Sequence, residues 1–290
     1  MTAVGTEIQN LTQAYAIFSP LTNMPYIECE EINYNDQVYL FAKKDDAESF
    51  VKNYAEKGIV LKVQELKTQE VYIPVKADQP DGEKKKMYLN EVRQHLGILP
   101  FLGVNAVGYQ SFGSDLQSVE LKDILPEGFE KRLDGNQMYQ PNLQLTGLYL
   151  MQEARRNKEY VTMKQIQELD EEFSSNLVKA GLFIAVLPPE GFEKNPQLNL
   201  KDCRMPYLKH QSGDVFFPLF TDVWEFQKYA RNNKALRPIW IPFKDITKFW
   251  VQDAKAYMIN PLGYSLPLAK DMIPKILARF GVVPTQPEQK

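Results

Sequence analysis

Met205-Pro206-Tyr207-Leu208-Lys209-His210-Gln211-Ser212-Gly213-Asp214-Val215-Phe216-Phe217-Pro218-Leu219-Phe220-Thr221-Asp222 is the stretch from which the fold can be read. Met205 to His210 predicts a strand, and Gln211 to Asp214 a tight turn whose Gly and Asp tolerate positive φ. Val215 to Phe220 then predicts the returning strand of a hairpin. Asp222 stands where a helix starts: its carboxylate can accept from a free amide of the first turn, and Glu225 lies at capping-box spacing. Behind it, Val223, Phe226 and Ala230 share one helical face. An apolar strand from Arg237 to Phe243 follows, then Ile246, Phe249 and Trp250 at helical spacing, then a strand from Ala256 to Ile259. Strands alternating with helices predict parallel pairing through crossovers, and the hairpin adds an antiparallel part. The expectation is an α/β (α+β) fold, with helices packed on a mixed sheet.

Working outward, the same order recurs upstream. Met24-Pro25-Tyr26 echoes Met205-Pro206-Tyr207, and Gln37 to Phe41 echoes Val215 to Phe220. Val104-Asn105-Ala106-Val107-Gly108-Tyr109 matches Ile259-Asn260-Pro261-Leu262-Gly263-Tyr264, and Lys122 to Pro126 matches Lys270 to Pro274. Behind Asp46, Ala47, Phe50, Val51 and Tyr54 repeat the helical spacing. Four matches in one order predict two diverged tandem copies of one module. The expected boundaries are 1–131 for the diverged copy, 132–180 for a helical connector and 181–290 for the cleaner copy. Asn142 to Ala180 carries apolar residues at helical spacing, which is why the connector is expected to be helical. A further echo, Pro126 to Lys131 against Pro189 to Lys194, falls out of register with the main repeat.

Composition bounds the class. In 290 residues, 44% are apolar and 24% charged, the balance of a folded globular chain of about two domains. A net charge of -3 gives no electrostatic reason to expect nucleic acid or an anionic membrane as partner. No apolar run approaches the length of a membrane span, and Met1 to Gln13 lacks the basic and apolar regions of a signal peptide. A cytoplasmic location is therefore expected, with Cys29 and Cys203 reduced. The loop from Ala77 to Lys86 is expected to be solvated, its Lys84-Lys85-Lys86 run included.

The run Phe217-Pro218-Leu219-Phe220-Thr221-Asp222, an aromatic helix, and then Ile259-Asn260-Pro261 before a last helix resemble the N-terminal domain of the SseB family, the enhanced serine sensitivity proteins. The resemblance covers roughly Leu182 to Phe280. Its "P-x-F-T" and "N-P" patterns stand in the second copy, whereas the first has Leu40-Phe41-Ala42-Lys43 and Asn105-Ala106. The family supplies no catalytic residues to carry over. The resemblance implies two SseB-like domains acting as a non-catalytic interaction or regulatory protein.

Candidate site residues follow from the expected sheet. If Val215 to Phe220 and Ala256 to Ile259 are parallel neighbours, their C-terminal ends bring Thr221, Asp222, Asn260 and Ser265 to one edge, where open α/β sheets tend to hold ligands. Trp224 and Pro261 flank that edge. The competing reading gives these residues only structural roles: Thr221 and Asp222 capping one helix, Ser265 capping another, and Asn260 closing a turn. Cys203 with His210 could form a nucleophile and base, but no orienting third residue accompanies them. His95 is expected on a solvated helix from Tyr88 to Leu96, and Asp170-Glu171-Glu172 on a solvated helix face near an N-terminus. No catalytic set, no metal site and no cofactor are expected. A protein partner, a small anionic ligand or a second copy in a homodimer remain as partners, reached through the strand ends or an aromatic surface between the copies. The alternative is an enzyme with its site near Thr221 and Asn260 or in the cleft between the copies.

Overall fold

The computed structural model describes residues 2–75, 83–132, 136, 138–191, 200–250 and 253–282. Two compact units emerge, Met1–Pro20 with Pro25–Asp134, and Leu21–Met24 with Gly135–Lys290. Each contains its own mixed sheet with helices, so the α/β expectation holds.

The first unit begins with α1 (Ala3–Gln9), β1 (Gln13–Ser19) and the two-residue strands β2 (Met24–Pro25) and β3 (Glu28–Cys29). It continues through β4 (Asp36–Phe41), α2 (Lys44–Glu56), β5 (Lys62–Pro74), β6 (Lys84–Asn90) and α3 (Glu91–Ile98) to β7 (Ala106–Gln110) and β8 (Gln117–Glu120). The strand order is β6-β5-β1-β4-β7-β8. Of the β4 residues Asp36 alone is only half-buried, as expected of a strand with neighbours on both sides. Phe41, Ala47 and Leu61 pack with Phe50 and Tyr54 into a core under α2.

The second unit runs α4 (Pro141–Ala154), α5 (Met163–Lys179), β9 (Gly181–Val186), β10 (Leu208–Lys209), β11 (Val215–Phe220), α6 (Val223–Ala230), β12 (Arg237–Pro242), β13 (Ala254–Ile259), β14 (Leu266–Leu268) and α7 (Met272–Arg279). Its order is β12-β9-β11-β13-β14. All six residues of β9 are buried: β11 and β12 pair with its two edges, and Phe226 of α6 packs on the face that carries Phe183 and Ala185. Thr162 and Gln165 close a capping box at the start of α5. The 132–180 segment expected as a helical connector carries α4 and α5, and both lie inside this unit.

The pairing senses of the two sheets agree step by step. β1 and β9 are each antiparallel to both neighbours, β4 with β7 and β11 with β13 are parallel, and β8 and β14 return antiparallel. The short β3 and β10 pair antiparallel to β4 and β11 in the same way. One quoted match is out of register, however. Leu40 faces Tyr109 and Leu219 faces Ile259, so in pairing register Tyr109 stands to Leu40 as Ile259 stands to Leu219, whereas the quoted match sets Val104 against Ile259. Asn105 instead precedes its strand, its N–H donating to Asp36 O at 3.0 Å.

Several local expectations change. Arg237 to Pro242 pairs antiparallel to β9 rather than parallel. Lys84 to Lys86 belong to β6 and not to a solvated loop, while residues 76–82 lie outside the described residues, as do 192–194 of the second echo. The helix expected from Tyr88 starts at Glu91, because Asn90 Oδ1 accepts from Arg93 N at 3.1 Å and Tyr88 is paired in the sheet. His95 is buried rather than solvated, since Val92, His95 and Leu96 form the inward face of α3. α2 starts at Lys44, two residues ahead of Asp46, which lies in its first turn. Asp170 to Glu172 sit mid-helix in α5, where Asp170 pairs with Arg279 at 3.2 Å. Proline sits in both edge strands of the second sheet, Pro238 and Pro242 in β12 and Pro267 in β14, whereas β6 and β8 of the first sheet contain none.

Candidate functional site

β11 and β13 run parallel, so their C-terminal ends do converge. Asn260 adopts φ 49, a left-handed conformation that Asn accepts more readily than most residues. Its carbonyl receives Gly263 N at 2.9 Å and Ser265 N at 3.0 Å, which closes a tight turn after the strand. Its side chain reaches back across the sheet: Thr221 N donates to Asn260 Oδ1 at 3.0 Å, and Asn260 Nδ2 donates to Thr221 Oγ1 at 2.8 Å. Thr221 Oγ1 in turn donates to Asp222 Oδ2 at 2.9 Å. The other Asp222 oxygen caps α6, accepting Glu225 N at 3.0 Å.

Three participants were not legible as such. Gln144 enters from α4, donating to Asp222 Oδ2 at 2.6 Å and accepting from Asn260 Nδ2 at 3.2 Å. Glu225 bonds Lys228 Nζ at 2.6 Å rather than returning to the Asp222 amide, so the capping box is only half made. Its Oε2 and the Tyr264 hydroxyl are both buried without a hydrogen-bond partner. Two glycines make this packing possible. A Cβ on Gly263 would stand 2.9 Å from Glu225 Oε2, and one on Gly147 would stand 2.7 Å from the Tyr264 ring.

Burial decides what the cluster can do. Thr221, Asp222, Glu225, Asn260, Tyr264 and Gln144 are each at most 4% exposed. Burial pushes the Glu225 carboxyl above the usual glutamate range despite the opposing Lys228 charge. It drives the Tyr264 phenol well above its ordinary value, with the Glu225 and Asp222 charges adding to the effect. The cluster therefore locks α4, α6 and two strand ends together. Trp224, by contrast, is 45% exposed on the first turn of α6. Pro261 is half-buried beside the turn. Ser265, at φ 53, leads into β14 and donates to Met258 Sδ at 3.2 Å, so it caps no helix.

The cysteine–histidine pair gains no support. His210 Nδ1 contacts Ser212 Oγ at 2.8 Å, and Ser212 donates to Asp214 Oδ2 at 3.0 Å, a staple of the exposed hairpin turn. Burial and the Asp202 charge push the Cys203 thiol up, away from the thiolate a nucleophile needs. In the first unit, Glu28 Oε2 accepts the Tyr39 hydroxyl at 2.6 Å and also the Tyr54 hydroxyl, which ties α2 to its sheet. Depressions of about 580 Å³ and 530 Å³ lie elsewhere, the first around Tyr15, Lys43, Lys44 and Phe112, the second around Glu190, Arg204 and Arg237.

No protein-family model matches the chain, and no curated protein matches it. Two solved structures align along its length. Tic22 from Plasmodium falciparum is 14% identical over 97% of this chain and 98% of its own, with a TM-score of 0.19. Anabaena Tic22, described as a protein of protein transport, is 8% identical over 99% of this chain and 100% of its own, also with a TM-score of 0.19. At that score the likeness carries no argument about fold or role. Among the described residues no helix is long and apolar enough to cross a membrane.

Proposed function

We propose that this chain is a non-catalytic, cytoplasmic interaction protein of SseB type, built from two copies of one module, and that it holds a protein partner on the β5–β6 ribbon of its first unit. The ribbon is the observation that carries this reading. Tyr72, Ile73, Met87 and Tyr88 are 61%, 42%, 43% and 67% exposed on two adjacent strands. Ile73 and Met87 lie on one face of the ribbon and Tyr72 and Tyr88 on the other, and exposed apolar side chains grouped in this way mark a contact surface. Support for the two copies comes from the shared pairing senses, and for the SseB resemblance from Pro218 to Thr221 and from Asn260-Pro261. The position an enzyme would use, at Thr221 and Asn260, is filled by side chains bonded to one another and buried.

The test is site-specific photo-crosslinking in the cell from positions 73 and 87, with position 224 as comparison. Adducts to protein at 73 and 87 are expected. Adducts confined to position 224 would reject the ribbon as the contact surface.

A small anionic ligand is the second reading, and one observation favours it. The 580 Å³ depression at the strand ends of the first unit is bordered by Lys43, Lys44 and Asp45, with Lys44 paired to Glu48 at 3.0 Å, and Lys43 stands at the helix cap that Asp222 fills in the second unit. Titrating inorganic phosphate against the Lys43 and Lys44 amide resonances tests it; unshifted resonances at millimolar phosphate would dismiss it.

A further inference from the structure

β1 covers β5 only as far as Lys67, and from Thr68 to Pro74 the partner of β5 is β6. β6 ends the strand order, so among the described residues its far edge is unpaired. The direction of its backbone groups follows from two bonds. Val75 N donates to Glu83 O at 2.8 Å, which makes that pair a bonded one. Alternation along an antiparallel ladder then turns Lys85, Met87 and Leu89 inward to β5, and points the N–H and C=O groups of Lys84, Lys86 and Tyr88 outward. Thr68 has the matching parity: it stands opposite Asn90 and sends its N–H the other way, to Thr12 O at 2.8 Å.

Side chains on this edge divide by face. Lys84, Lys86 and Tyr88 share one face with Glu70 and Tyr72, where Lys86 meets Glu70 at 2.6 Å. Lys85, Met87 and Leu89 share the other with Val71 and Ile73. β6 thus carries three lysines and no acid, in a chain whose net charge is -3.

Resting on the ribbon reading above, we propose that the β6 edge is a strand-addition site for an extended segment of a protein partner in which acidic and apolar residues alternate. The outward N–H and C=O groups supply the main-chain bonds, as in other strand additions. The partner's acids would lie beside Lys84 and Lys86, and its apolar residues beside Met87 and Leu89. A lipid headgroup offers charge but no matching row of donors and acceptors. A second β6 offers the row but brings lysines where acids are called for. The edges of the other sheet are blunted by proline, and this one is not.

The experiment uses the full chain and a fluorescein-labelled octapeptide of alternating glutamate and valine, followed by anisotropy. Binding is expected to weaken as salt rises. It should fall roughly tenfold or more in Lys86→Pro relative to Lys86→Ala, since both lose the ammonium and its Glu70 pair and only the proline loses the outward N–H, and likewise in the Lys84→Glu, Lys86→Glu double variant, which keeps every backbone group. Circular dichroism checks that all three variants fold. The proposal is overturned by equal affinity for the lysine–valine octapeptide, by Lys86→Pro binding as tightly as Lys86→Ala, by capture of phosphatidylglycerol vesicles with the acidic peptide ignored, or by dimerisation that Lys86→Pro abolishes. If the peptide fails while adducts at position 87 persist, the strand-addition mode is wrong and the ribbon reading stands. If the adducts vanish as well, both fall.

Discussion

His95 and Glu225 are both ionisable side chains shut away from water, and burial drives their protonation in opposite directions. Burial lowers the His95 imidazole to about 4 from an ordinary 6.5. The folded chain therefore binds that proton more weakly than the unfolded chain, and the associated stability, complete above pH 6.5, is lost as pH falls toward 4. The shift corresponds to roughly 3 kcal/mol. His95→Leu should abolish that loss, and because His95 Nε2 has no partner it should not weaken the fold at pH 7. Urea denaturation at pH 7 and pH 4.5 measures this; a variant as acid-sensitive as the parent would show the loss arises elsewhere. For Glu225 the sign reverses. Its folded carboxyl holds the proton more tightly than the unfolded one, so its contribution is present at acid pH and lost as pH rises through the raised value. Glu225→Gln should gain on the parent steadily from pH 4.5 to pH 8, read from the difference in melting temperature.

At the scale of elements, the tie between α6, α4 and the strand ends predicts the largest loss. Asp222→Ala removes a helix cap, about 1 kcal/mol, and leaves Gln144 Nε2 and Thr221 Oγ1 short of a buried acceptor at about 1–3 kcal/mol. A total of roughly 2–4 kcal/mol is expected by chemical denaturation, and a loss under 1 kcal/mol would mean the network relaxes around the gap. At the same end of the sheet, where β9 begins, a Cβ on Gly181 would stand 2.0 Å from Trp240 Cε2. Gly181→Ala should therefore cost about 1–3 kcal/mol and shift tryptophan emission as the half-exposed ring is displaced.

These elements also show what could be read from residues alone. The α6 start, the hairpin and the parallel β11–β13 pair were legible, because Asp222, Gly213 and the apolar runs act locally. Gln144 was not, since its contact with Asp222 spans 78 positions and nothing near it marks the reach. Three successive lysines read as loop because charge usually means solvent, yet an edge strand has a solvent side too. Matching letters placed Asn105 against Asn260, whereas only strand pairing distinguishes a residue entering a strand from one leaving it.

Across the whole molecule the two units should answer acid and base differently, since His95 belongs to one and Glu225 to the other. Hydrogen exchange, corrected for intrinsic rates, should show protection of Val38 to Phe41 falling toward pH 4.5. Protection of Leu219 to Phe220 should fall toward pH 8. Parallel changes in both segments would contradict the assignment of these slopes to single side chains.

Proline placement bears on how concentrated solutions of this protein behave. Pro238, Pro242 and Pro267 deny the second sheet a continuous template on either border, so uncontrolled chain-to-chain growth has to nucleate on the first sheet, where lysine repulsion is the main deterrent on β6. Repulsion is screened by electrolyte and a missing N–H is not. Turbidity on storage should accordingly climb with ionic strength, and the precipitate should be traceable by limited proteolysis to residues 84–90.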